Sequence, residues 1–175
     1  MAIAHTVPLY QLELVRSTNL PYKSVNRIDA AAEVFHEMLD RSPVEKMAVI
    51  HCNSGGDMIG AEYVAHGGME AVGAAMADMF RGAIRNNAAS IWFAHNHVDG
   101  RTNASPQDFG YALRVFDAGA MLGIRVNDHL VVGPGSYYSC LSHPADFQRG
   151  IRELELQLLR NRAAAGFNKF LGDKF

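Results

Sequence analysis

The feature that most restricts this chain is a short apolar run, Ala88–Ala94 (AASIWFA), which stops at His95-Asn96-His97. After a polar loop, Ser105-Pro106 opens a long helical pattern. An apolar run this short, bounded by polar residues, reads as a buried strand. Ser105 suits the N-cap and Pro106 the first helical position, and the helix runs through DFGYALRVFDAGAML to Gly123.

The rest of the chain continues the alternation. Residues 8–17 (PLYQLELVRS) read as a strand, and Asn26 or Asp29 caps a helix over IDAAAEVFHEML that ends near Arg41-Ser42-Pro43. Met47–Cys52 (MAVIHC) is a strand, Asn53–Asp57 a turn cluster, and Met58–His66 the returning strand. A helical pattern follows from Met69 to about Asn86. Its small residues (Gly73, Ala74, Ala75, Ala77, Gly82, Ala83) suit close packing on a sheet. Ile124–Val132 is another strand, turned back at Gly133-Pro134-Gly135 towards Tyr137-Tyr138. Asp146 to about Ala165 forms an amphipathic helix with Ile151, Leu154, Leu158 and Leu159 on one side. Phe167, Phe170 and Phe175 make the stretch after it unusually aromatic, suited to docking on the domain or on a second subunit as a homodimer. The chain reads as one domain over 1–175, with 145–175 as its C-terminal helix and aromatic tail. Helices alternating with strands predict an α/β sandwich with a mixed sheet.

The charge bounds the function. The formal net charge is -2 at pH 7, and the short basic spots (Arg81 with Arg85, Arg149 with Arg152, Arg160 with Arg162) are interspersed with acids. A domain that lives on phosphate contacts carries a basic excess or stripe, so a nucleic-acid partner is not expected. Cys52 and Cys140 form no CxxC pair, which suits a reducing compartment. The N-terminus lacks the pattern of a signal peptide, and no apolar stretch has the ~18 residues of a membrane span. A cytoplasmic protein is expected.

The chemistry concentrates in His95-Asn96-His97, x7, Ser105-Pro106-Gln107-Asp108. Two histidines at i and i+2 on a strand end point to one side, and a carboxylate in the first turn of the next helix swings back towards them. Two nitrogens and one oxygen suit zinc, and three protein ligands leave a fourth position for water. Zinc lowers the pKa of that water from about 16 towards about 7. A hydrolase built this way also needs a carboxylate to carry protons and a donor for the developing oxyanion. Ser105 is a candidate donor. It is equally the N-cap, and the two roles compete for one hydroxyl.

HNH-x7-SPQD resembles the HxH-x7-SxxD signature of the JAMM (JAB/MPN) zinc metalloproteases. More narrowly, AASIWFAHNHVDGRTNASPQDFGYALRVFDAGAMLGIRVNDHLVVGPGSYYS is similar to the RadC-like branch, with its HNHPSG, SxxD, a helix ending in LGI, and DHLIIG. The resemblance runs from Ala88 to Ser139 and extends back to Glu45. It implies a cytidine-deaminase-like α/β/α sandwich, one zinc per chain on His95, His97 and Asp108, and Ser105 as the oxyanion residue. It also implies a catalytic Glu at the start of a core strand. Glu45, directly before MAVIHC, stands at that place, with Glu62 and Glu70 as competitors. The implied activity is a peptidase or isopeptidase acting on a protein or peptide, removal of a ubiquitin-like modifier being one form. A DNA-repair role and a non-catalytic scaffold are the alternatives. Val98-Asp99 stand where relatives carry Pro-Ser, and Asp99 reads as capping a turn with Gly100. The helix-hairpin-helix module of full-length relatives finds no room here.

Asp128-His129 matches the DH of those relatives and is either support for a ligand histidine or a strand-end pair bonded to backbone. His51, His66 and His143 read as structural, Cys52 and Cys140 as small buried hydrophobes, and Trp92 as core.

Overall fold

The structure is a computed structural model, and it describes residues 24–40, 42–66 and 74–172, the last eleven of these as helical backbone alone. The strand expected at 8–17 and the residues Glu70 and Phe175 lie outside the described residues, as do the side chains of His66, Phe167 and Phe170.

The described elements are α1 (Ile28–Leu39), β1 (Lys46–Cys52), β2 (Met58–His66), α2 (Met76–Arg85), β3 (Ser90–Asn96), α3 (Pro106–Leu122), β4 (Arg125–Gly133), β5 (Ser136–Ser139) and α4 (Pro144–Gly172). The strands form one sheet in the order β2-β1-β3-β4-β5. β3 and β4 are parallel, joined through α3; the other neighbours are antiparallel. The sheet is therefore mixed, as expected.

Alternation along the central strands sends side chains to two cores. Ala48, Ile50 and Cys52 of β1 join Trp92 and Ala94 of β3 against Ala31, Val34, Phe35 and Leu39 of α1. Met47 and Val49, with Ile91 and Phe93, face Met79, Phe80 and Ala83 of α2 and Tyr111, Ala112 and Val115 of α3. One helix on one face and two on the other make an α/β/α sandwich, the JAB/MPN arrangement. Every residue of β3 is buried, so it reads as one apolar run instead of an alternating one.

Several boundaries differ from the sequence expectation. The N-cap of α1 is Arg27, with no side-chain cap; neither Asn26 nor Asp29 takes that place. β3 continues through His95 and Asn96, because pairing on both sides carries the ladder past the apolar run. Ala74 and Ala75 are extended, and α2 begins at Met76. α4 starts at Pro144 and runs to Gly172. Its early turns pack on α3, with Leu154 over Gly110 and Phe109 over Gly150. Leu158 and Leu159 are 52% and 61% exposed, so the expected apolar side ends before them.

The α3–α4 contact is close enough that a methyl group on Gly150 would lie 2.1 Å from the Phe109 ring. Gly150→Ala is expected to cost about 1–3 kcal/mol through overpacking, although alanine favours helix. A urea midpoint equal to or above that of the native chain would show that α4 shifts freely.

Candidate metal centre

His95 is the last residue but one of β3 and is fully buried. Its Nε2 lies 3.0 Å from His97 Nε2 and 3.3 Å from Asp108 Oδ1. Asp108 Oδ2 is 3.7 Å from His97 Nε2. Donor atoms of the three residues thus face one point, all within 4.8 Å of one another. Asp108 is 5% exposed and the His97 side chain 19%, so the point opens to solvent beside His97.

The helix start places Asp108. Ser105 and Asp108 form a reciprocal capping box: Asp108 N–H donates to Ser105 Oγ, and Asp108 Oδ2 accepts from Ser105 N–H at 2.7 Å. The Ser105 hydroxyl also donates to Oδ2, at 2.6 Å. Its one proton is therefore on Asp108 here, which is the competition anticipated for this hydroxyl.

His97 Nδ1–H donates to the carbonyl of Arg101 at 3.0 Å, which leaves Nε2 bare in the neutral ring. The loop that supplies this carbonyl turns at Gly100 (φ +73), where Gly100 N–H donates to His97 O and Asp99 accepts from Arg101 N–H. Asp99 is a turn residue, as read from the sequence.

The electrostatics follow from burial and from the partners. Burial holds the His95 pKa down at about 4, against the pull of Asp108. The hydrogen bond with Asp108 raises that of His97, and the charge of Glu45 adds to it. Burial alone would raise Asp108, but the bonds with His97 and Ser105 and the charge of His95 bring it well below the usual carboxylate range. An anionic oxygen and two imidazole nitrogens converge. A single proton satisfies one pair of them; a divalent cation satisfies all three.

Glu45 is half-buried. Met47 pairs with His95, so Glu45 and His97, two places on, leave the strand pair on that same face. Asn96 holds the backbone around it: its Oδ1 accepts from Lys46 N–H at 2.9 Å and its Nδ2 donates to Val44 O at 3.2 Å. Glu62 pairs with Val49 in β2, and its Oε1 lies 3.2 Å from His51 Nε2, away from the cluster. Asn86 Nδ2 meets the other nitrogen of that ring at 2.8 Å, so His51 is structural as expected. His143 is tied to Ser139 O at 2.9 Å. Burial raises the Cys52 thiol to about 11.

Asp128 and His129 divide the two readings of their pair. Asp128 accepts from the backbone of His129 and Leu141 and from Ser139 Oγ, joining β4 to the end of β5 and the turn that follows it. His129 is fully buried, with Nε2 2.9 Å from His95 Nδ1 and Nδ1 3.5 Å from Cys140 Sγ. Sequence reasoning passed over Asn96 and the contact between Cys140 and His129. Alternation did hold a signal for Asn96, since it must face away from its two flanking histidines.

A mixed sheet between helices, with an HxH strand end facing a helix-mouth Asp, defines a JAB-type domain. The chain belongs to the RadC-like JAB domain family, whose pattern matches residues 25–145. It is 29% identical over 143 residues to a UPF0758 protein of Porphyromonas gingivalis, covering 79% of this chain and 59% of the relative. Similar proteins of the same designation occur in Moorella thermoacetica (34%, covering 65% and 49%) and Rubrobacter xylanophilus (37%, covering 60% and 44%). The chain thus spans about half the length of these curated relatives. No described helix is long and apolar enough to cross a membrane.

Asn96→Ala is expected to cost about 0.5–1.5 kcal/mol, the net worth of hydrogen bonds to partly exposed backbone groups; a denaturation midpoint unchanged from native would contradict it. The metal-free protein should also weaken in acid. His95 titrates near 4 when folded and near 6.5 when unfolded, so below 6.5 the unfolded chain gains the proton first. Stability then falls as pH drops from 6.5 towards 4. His129, lowered by burial, acts in the same direction, and the raised His97 opposes both. Thermal melts across that range should show a falling Tm, and a Tm that rises as pH drops would contradict a neutral buried pair.

Proposed function

We propose that the chain is a zinc-dependent hydrolase of JAMM type that cleaves an amide bond in a protein or peptide, conjugates of ubiquitin-like modifiers being one substrate class. The observation that carries this is the spacing of the donors. His95 Nε2 lies 3.0 Å from His97 Nε2, close to the roughly 3.3 Å between ligands 2.0–2.1 Å from a tetrahedral zinc, and Asp108 turns one oxygen to each ring, Oδ1 3.3 Å from His95 Nε2 and Oδ2 3.7 Å from His97 Nε2. These residues would hold one ion per chain, and their number leaves a position open. Zinc there supplies Lewis acidity, activating water and polarising a carbonyl.

The chain's own groups do the rest. Glu45, close enough to His97 for its charge to be felt, takes the proton from water and hands it to the leaving amine. Asn96 fixes the backbone on either side of Glu45, which keeps that carboxylate at the rim. Glu62 Oε1 lies beside His51 Nε2, away from the three donors, which leaves Glu45 as the better base. Ser105 orients Asp108 through the capping box and, when its hydroxyl turns from Oδ2, donates to the oxyanion. Two buried free thiols accord with a cytoplasmic setting.

Metal analysis should find one zinc per chain, lost in Asp108→Asn. Against a panel of ubiquitin-like fusion peptides, Glu45→Gln should retain zinc and lose activity by about 100-fold or more. Cleavage that survives this change would move the base elsewhere, and a native chain that takes up no zinc would end the reading.

A further inference from the structure

We infer that His129 is a positioning residue for the metal ion: its hydrogen bond to His95 sets which nitrogen of that ligand is bare, with Cys140 at the far nitrogen of His129 to receive its proton. This rests on the metal reading of His95 given above.

The two candidate ligand histidines are oriented by different kinds of partner. His97 Nδ1–H meets the Arg101 carbonyl. A carbonyl can only accept, so the proton of His97 is fixed on Nδ1. His95 Nδ1 meets another imidazole, His129 Nε2, at 2.9 Å. An imidazole nitrogen accepts in one tautomer and donates in the other, so this contact is competent for the ion in only one of them. If His129 carried its proton on Nε2, it would donate to His95 Nδ1. The proton of His95 would then sit on Nε2, facing His97 and Asp108 where the ion belongs. The competent arrangement puts the His129 proton on Nδ1, directed at Cys140 Sγ 3.5 Å away. Burial raises the Cys140 thiol, so sulfur receives this N–H as a neutral, weak acceptor.

The His129 ring is held so that it cannot avoid the choice. It is fully buried and stacks on Phe93 with centroids 4.4 Å apart and planes 5° from parallel. Tyr111 and Phe116 of α3 brace Phe93 edge-on. The backbone on either side is tied as well, with His129 N–H on Asp128 and His129 O on Cys140 N–H. Cys140 follows β5 directly. Three groups from three segments thus form a line from the metal point to a thiol on the far side of the ring.

The test uses His129→Phe, which keeps the stack on Phe93 and removes the acceptor, beside His129→Gln, whose amide oxygen can accept from His95 Nδ1–H. Calorimetric zinc titration should show affinity reduced ten- to hundredfold in His129→Phe, with partial recovery in His129→Gln. Long-range 15N–1H spectra of the native protein should place the His129 proton on Nδ1, with or without zinc. A folded His129→Phe that binds zinc within twofold of native would overturn the inference, as would spectra showing His129 protonated at Nε2. Should His129→Phe not fold, the spectra decide. A native chain that takes up no zinc counts against the proposed function, and the spectrum of the metal-free protein then decides this inference separately.

Discussion

A fully buried imidazole has to find partners for both of its nitrogens, and His95 is such a group. One nitrogen is answered by His129. The other looks towards His97 and Asp108. The surrounding structure serves this requirement. Parallel pairing of β3 with β4 brings position 129 beside the strand that carries His95, with His129 paired to Phe93, two residues before His95. The crossover helix α3 brings Asp108 back over the strand end, and its capping box fixes the carboxylate before any ligand arrives. The antiparallel pair β1–β3 sets Glu45 on the same face from the other side. Strand, crossover and neighbour each deliver one polar group to a site that apolar packing excludes from water everywhere but at the rim.

Packing keeps these groups in place. Phe93, two residues before His95, lies in the middle of the second core and stacks directly on His129. The aromatic cluster that holds α3 to the sheet is thus continuous with the ring that touches the candidate ligand. Interiors packed at crystal-like density transmit small shifts without absorbing them. A volume change at Phe116 or Tyr111 therefore reaches the donor geometry without touching it.

Much of this was legible in the sequence because it is local. The run into His95, the cap at Ser105 and the return of Gly123 to a strand are signals of short range, and the elements fell close to where they were read. The three donors came from the same kind of signal, two positions on a strand and one on a helix mouth. What was hidden is long-range. That Asp128 binds backbone while His129 touches a candidate ligand depends on the β3–β4 register, on β5 and on the turn after it, which no periodicity in β4 reveals. The bond of Asn96 to the backbone at Val44 and Lys46 needs the β1–β3 register. α2 starts at Met76, after an extended Ala75, although alanine is a good helix former. The end of the apolar side of α4 follows from the length of α3, which it outruns.

The donors span residues 95–108, one strand end, one loop and one helical turn, whereas Glu45 enters from a strand on the other side of the sheet's centre. The two halves are stitched at the rim chiefly by the side-chain amide of Asn96. Strand ends open far more readily than strand centres. A transient fraying of this seam would leave the three donors assembled and Glu45 out of their reach. Amide exchange at Lys46 would report how often the molecule visits that silent form.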